Sequence, residues 1–207
     1  MRAVDSGGAG DTGKKTGIHA SLIEDQEADM QFIELATKRY SVRSYKAEPV
    51  EDDKLQSVLQ AARLAPTAAN RQAFRLIVIP TRSRESELLR IYNRPWFVQA
   101  PVVICICAIP NEAWVRSDGK NYGDVDAAIV MDHLVLAAAD LGLGTCWIGA
   151  FHEDEVKKLL NIPEEIRVVG LLTVGYPAET ALRKKSRYEL GKIVYYDQWG
   201  KREDSSL

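Results

Sequence analysis

The chain predicts an α+β protein, and three features carry that expectation. EPVEDDKLQSVLQAARLA (residues 48–65) has the 3.6-residue apolar period of an amphipathic helix. Residues 123–144, GDVDAAIVMDHLVLAAADLGLG, are apolar nearly all round, as in a helix buried in a core or a subunit interface. Short apolar, β-rich runs at 75–80, 101–110 and 168–174 fit buried strands.

Composition bounds the rest. A chain of 207 residues with 46% hydrophobic content is expected to form one domain with a sizeable core. A formal charge of −2 gives no global reason to expect nucleic acid or an anionic membrane as partner. No cationic segment leads into an apolar run at the N-terminus, so no secretory signal is expected. Three cysteines, an odd number, point to a reducing compartment, with the cytoplasm as the default. Residues 1–29 are rich in Gly and in small or polar residues and read as a flexible extension. The folded domain is expected at 30–207.

The first element is the helix-like QFIELATKR, followed by the basic segment TKRYSVRSY. Arg39, Ser41 and Arg43 occupy alternate positions, so in an extended segment their side chains share one face. Two guanidiniums and a hydroxyl on one face suit a phosphate. Singly, each has a plainer explanation: Arg39 complements a helix dipole, and Ser41 caps or turns. In the next helix Glu51, Asp52 and Asp53 fill the first turn, and Leu55, Val58, Leu59 and Ala62 follow at i, i+3, i+4, i+7. The helix runs into PTAANRQ, a Pro-led turn that offers the carboxamides of Asn70 and Gln72, able both to donate and to accept. Asn70 equally reads as an ordinary left-handed turn residue.

After the strand at 75–80, SRESELLRIY forms a surface helix. In the next strand Cys105 and Cys107 lie two apart and share a face. C-x-C is not a zinc-knuckle spacing, and His19, His133 and His152 are scattered, so no metal site is expected. Asp124, Asp126, Asp132, His133 and Asp140 interrupt residues 123–144 too often for a bilayer, which leaves a core helix ended by Gly142 and Gly144. GLGTCWIG is not a dinucleotide fingerprint: Trp147 takes the third glycine position, and the motif follows a helix. A plain helix stop feeding a strand explains its glycines as well as a ligand does. HEDEVKKLL is a short helix. Arg183, Lys184, Lys185 and Arg187 form a basic run, ordinarily a solvated patch. The tail KIVYYDQWG has strand character. No nucleophile elbow, zincin motif or P-loop is present.

Taken together and in order, KRYSVRSY, LAPTAANRQAFRLIVI, AAADLGLGTCWIGAF, and VVGLLTVGYPAE followed by RKKSR resemble the FMN-dependent nitroreductase family, over roughly residues 31–200. The resemblance implies a three-layer α-β-α fold with a mixed, mainly antiparallel sheet. It also implies an intertwined homodimer with FMN between the subunits. FMN contacts would come from Arg39, Ser41 and Arg43, and from Pro66, Thr67 and Ala68 of the opposite subunit. Asn70, Gln72 and the backbone around Trp147, Ile148 and Gly149 would join them, with Arg183 and Lys185 at the phosphate. Lys184 is an alternative, since the basic residues run together. The C-terminal segment would wrap onto the partner.

The implied chemistry is hydride transfer from NADH or NADPH through the flavin to a nitroaromatic, quinone or similar acceptor. No catalytic side chain is required, because the cofactor carries the reaction. Many relatives have Pro-Trp after the glutamine where this chain has Ala73 and Phe74. Residues 111–122 are a candidate lid, and Phe74, Trp114 and Tyr122 candidate pocket residues. Specialised chemistry such as reductive dehalogenation or flavin fragmentation stays open, as does a flavin store or sensor without turnover.

Overall fold

The computed structural model describes residues 32–179 and 185–202. The expected extension at 1–29 lies outside them, as do Arg183 and Lys184. Among the described residues four strands form one sheet: β1 (Phe74–Pro80), β2 (Val102–Ala108), β3 (Gly144–Ile148) and β4 (Arg167–Gly175). Their order is β1-β2-β4-β3, with every neighbouring pair antiparallel. The helices are α1 (Phe32–Lys38), α2 (Asp52–Arg63), α3 (Glu85–Ile91), α4 (Gly123–Asp140), α5 (Glu153–Leu160) and α6 (Leu190–Ile193).

All seven residues of β2 are buried, and they alternate between two cores. Ile104, Ile106 and Ala108 pack with Val58 and Ala62 of α2 and with Val130, Met131 and Leu134 of α4. Val103, Cys105 and Cys107 face Leu88 and Ile91 of α3, Phe97, and Val156 of α5. The sheet is therefore sandwiched between α2 and α4 on one side and α3 and α5 on the other. A continuous apolar run, without in–out alternation, is what a strand covered on both faces requires. The fold is α+β in three layers.

Helix α4 is apolar nearly all round but buries one face, with Asp126, Ala127, Val130, Met131, Leu134, Val135 and Ala138 at i, i+3, i+4 spacing, and leaves Val125 on another side 38% exposed. No helix among the described residues is long and apolar enough to cross a membrane. The helix stops where Gly142 adopts φ +75° and Leu143 N–H donates to Ala138 O at 2.8 Å. Gly144, expected to share in that stop, instead opens β3. A Cβ at Gly144 would lie 2.6 Å from Val42 Cγ2, so its lack of a side chain serves close packing.

The tail departs from expectation. KIVYYDQWG was expected as a strand, but the chain makes the short helix α6 and then bends. A strand needs a neighbouring edge to pair with. Among the described residues no ladder of this chain reaches the tail. Tyr188, Leu190, Ile193 and Trp199 are left exposed, Trp199 at 91%.

Candidate cofactor site

The segment after α1 is pinned along β3. Arg39 N–H closes α1 on Leu35 O at 2.9 Å, and the chain then runs beside β3. Ser41 bridges Thr145 in parallel, and Val42 N–H donates to Thr145 O at 2.9 Å. Val42, 3% exposed, fills the core, so its neighbours Ser41 and Arg43 turn the other way. The buried thiol of Cys146 registers all three predicted residues. Burial pushes that thiol up, while Arg43, Ser41 and Arg39 each pull it down. The Arg43 guanidinium also sits 5.9 Å from the centre of the Trp96 ring.

Lys185 joins this strip from the far end of the chain. Its ammonium donates to Ala36 O of α1. Burial, then Arg39 and Arg187, push its pKa below the ordinary lysine range. Among the described residues no carboxylate pairs with Arg39, Arg43, Lys185 or Arg187. Cations gathered at one place repel each other, and an anion set among them would relieve that repulsion. Of the expected phosphate residues, Arg183 lies outside the described residues.

The PTAANRQ turn is strained. Ala69, Asn70 and Gln72 have φ of 51°, 52° and 52°. Left-handed backbone costs about 1–2 kcal/mol at a non-glycine residue, and Asn tolerates it best. Thr67 knits the loop: its carbonyl accepts Asn70 N–H at 3.0 Å, and its hydroxyl accepts Gln72 N–H at 3.0 Å. The side-chain amide of Gln72 donates to Asn70 O at 3.3 Å. The Asn70 carboxamide is exposed and makes no hydrogen bond among the described residues. Pro66 is exposed and Thr67 and Ala68 half-buried. Asp126, in the first turn of α4, accepts Ala68 N–H at 2.9 Å, a contact the sequence reading missed.

In β3, Trp147 is 42% exposed and Ile148 is buried in the core, so Ile148 can offer a ligand only its backbone. Nothing lies within 4 Å of a Cβ built on Gly149. The candidate lid is a tight hairpin. Val115 bridges Asn121, Arg116 N–H donates to Lys120 O, and Gly119 turns with φ +87°. Trp114 and Tyr122 stack edge-to-face on each other at 4.9 Å. Phe74 packs on the α2–α4 core, partly buried. Cys105 and Cys107 do share a face, with sulfurs 3.7 Å apart, and all three cysteines are buried and free. Among the described residues no three potential ligands gather for a metal.

These residues fall into two groups. The cationic strip lies by Thr145, just past the C-terminal end of α4, whereas the amide turn hangs on Asp126 at its N-terminal end. The helix has 18 residues, which at 1.5 Å each is about 27 Å. One chain does not bring the two groups together.

The model of the nitroreductase family matches residues 36–94 and 83–176, well over half the chain. The chain belongs to the nitroreductase family. This nitroreductase-family chain is 30% identical over 171 residues to FMN reductase (NAD(P)H) of Bacillus subtilis strain 168, covering 74% of this chain and 69% of that protein. A crystal structure of a nitroreductase family protein from Clostridium difficile 630 superimposes with a TM-score of 0.74 at 37% identity, covering 82% of this chain and 99% of that one. A second, from Clostridium novyi NT, gives a TM-score of 0.66 at 34% identity, over 84% and 97%.

Proposed function

We propose that this chain is an NAD(P)H-dependent FMN oxidoreductase that works as a homodimer. The observation that carries the reading is the set of cations with no carboxylate partner among the described residues, Arg39, Arg43 and Lys185, arranged with Ser41 along the edge of β3. That donor set fits the phosphate of FMN: planar guanidiniums for its oxygens, an ammonium, and a short hydroxyl. The open space at Gly149 fits close approach of a ring to the backbone. The exposed carboxamide of Asn70 fits the polar edge of an isoalloxazine. The name of the Bacillus subtilis relative supports the same cofactor and donor.

Bound flavin supplies two-electron chemistry between a nicotinamide and an acceptor. The chain's own residues hold and orient. Arg39, Ser41, Arg43 and Lys185 fix the phosphate. Asn70 and Gln72 offer amides where negative charge develops on reduction. The backbone of Trp147–Gly149 forms a wall. Acceptors are planar and electron-poor, nitroaromatics and quinones among them. Phe74, Trp114 and Tyr122 stand at the β1 and hairpin side of the turn.

A homodimer accounts for the separation of the two groups, because a second copy can present its amide turn to the first copy's cationic strip. The exposed side chains of Phe32, Ile33, Leu190, Ile193 and Trp199 are apolar surface that such a partner would cover.

The test is an anaerobic titration of the purified protein, reconstituted with FMN, with NADH and separately with NADPH. A yellow protein whose flavin band bleaches with either donor and returns on adding a nitroaromatic or a quinone is the expected result. A protein that stays colourless after incubation with FMN overturns the reading. One that bleaches but never passes electrons on is a store or sensor.

A further inference from the structure

We propose that Asp126 is a positioning residue whose buried carboxylate bolts the amide turn, residues 66–72, to α4 and so sets where Asn70 and Gln72 meet the flavin. The inference rests on the FMN reading above. Asp126 is 1% exposed. Its Oδ1 accepts Ala68 N–H at 2.9 Å, and its Oδ2 is buried with no hydrogen-bond partner among the described residues. No cation pairs with it among the described residues. A buried carboxylate with a single hydrogen bond is an unfavourable core residue, so stability does not explain it. The helix dipole does not explain it either. An acidic first turn is already supplied by Asp124, which stays at the surface, paired with Arg167 at 2.6 Å.

The turn itself shows what the carboxylate does. The bonds between Thr67, Asn70 and Gln72 fix the shape of the loop but not its place on the molecule. Among the described residues, the Ala68–Asp126 bond is the one hydrogen bond from residues 66–72 to a residue distant in the chain. Left-handed alanine and glutamine persist only where the surroundings over-determine them. Asp126 supplies that constraint from the rigid first turn of the central helix.

Two readouts test this, hydrogen exchange of the apoprotein and FMN binding by fluorescence quenching. In Asp126→Ala the amides of Asn70, Arg71 and Gln72 are expected to exchange about tenfold faster or more, while those of β2 stay at the wild-type rate. FMN binding weakens by about tenfold, the cost of leaving the Ala68 N–H without its acceptor. Asp126→Asn keeps the acceptor for Ala68 N–H and restores both readouts. Should Asp126→Ala fail to fold, Ala68→Pro removes the donor alone, since Thr67 is already extended, and is expected to give the same pair of changes. Unchanged exchange in the turn overturns the positioning role, and so does an Asn variant as impaired as the Ala variant. A wild-type protein that never takes up FMN overturns the functional reading and, with it, the purpose assigned to Asp126.

Discussion

The phenol oxygen of Tyr45 lies 2.7 Å from the hydroxyl of Thr173, in a fully buried contact between residues 128 apart. The same phenol donates to Val42 O at 3.0 Å, and the Thr173 hydroxyl accepts Cys146 N–H at 3.1 Å. One node therefore ties three segments: the strip that carries Arg39, Ser41 and Arg43, the end of β4, and β3. Burial pushes the Tyr45 phenol well above its usual range, so it stays a protonated donor at any physiological pH. The cationic strip is held by this node as much as by its own backbone bonds.

Tyr45→Phe deletes the node while keeping the ring in its apolar cluster. It is expected to lower stability by about 1–2 kcal/mol, the net worth of one or two buried hydrogen bonds. Urea unfolding measures this. FMN affinity should fall as well, since Arg39 and Arg43 lose their mount. A variant with unchanged midpoint and unchanged affinity would remove the node from the account.

Arg39→Ala with Arg43→Ala separates binding from folding. Neither guanidinium has a carboxylate partner among the described residues, so stability should change by no more than about 0.5 kcal/mol. FMN affinity should drop steeply, at about 1.5–3 kcal/mol for each charge-assisted contact. Riboflavin, which lacks the phosphate, should bind the variant and the wild type alike. Equal loss of both ligands would place the phosphate elsewhere.

Two glycines of the β3 region should behave oppositely. Gly144→Ala puts a methyl 2.6 Å from Val42 Cγ2 and 2.9 Å from Pro177 Cγ, and should cost about 1–3 kcal/mol as an over-packed core does. Gly149→Ala meets nothing within 4 Å and should leave apoprotein stability unchanged. If the flavin lies against that backbone, the same methyl weakens FMN binding. Thermal melts with and without FMN check both.

Lys185 sets a pH dependence. Its folded pKa is lowered by burial and by Arg39 and Arg187, so between that value and the ordinary lysine value the unfolded chain holds more protons. Apoprotein stability should therefore rise with pH through this window. A bound phosphate favours the ammonium, which gives FMN affinity the opposite trend: it falls as Lys185 deprotonates. Lys185→Met should flatten both slopes, as read by melts and binding isotherms across the alkaline range. An unchanged affinity profile in that variant would release Lys185 from the phosphate.

Much of this was legible in one dimension because the signals are local. The apolar run of β2 and the mostly apolar run of β4 announce strands covered on both faces, and the apolar run of α4 announces a core helix, although this chain buries only one of its faces. Period-2 spacing was enough to place Arg39, Ser41 and Arg43 on one face. The tail misled because strand character is a property of pairing. Tyr195 and Trp199 have β-prone side chains, yet among the described residues no strand ladder includes them.

By itself, the sequence determined the layers, the family, and which residue types could hold a phosphate, since periodicity and motif order are written along the chain. Only the tertiary structure decided that Cys146 underlies the cationic strip, that Lys185 returns to Arg39, and that Asp126 carries the amide turn. It also decided that strip and turn lie toward opposite ends of α4. Ala68 and Asp126 are 58 residues apart, and Tyr45 and Thr173 are 128 apart. No local propensity encodes such a pairing. It arises when two faces must be buried at once and the polar groups caught between them find each other.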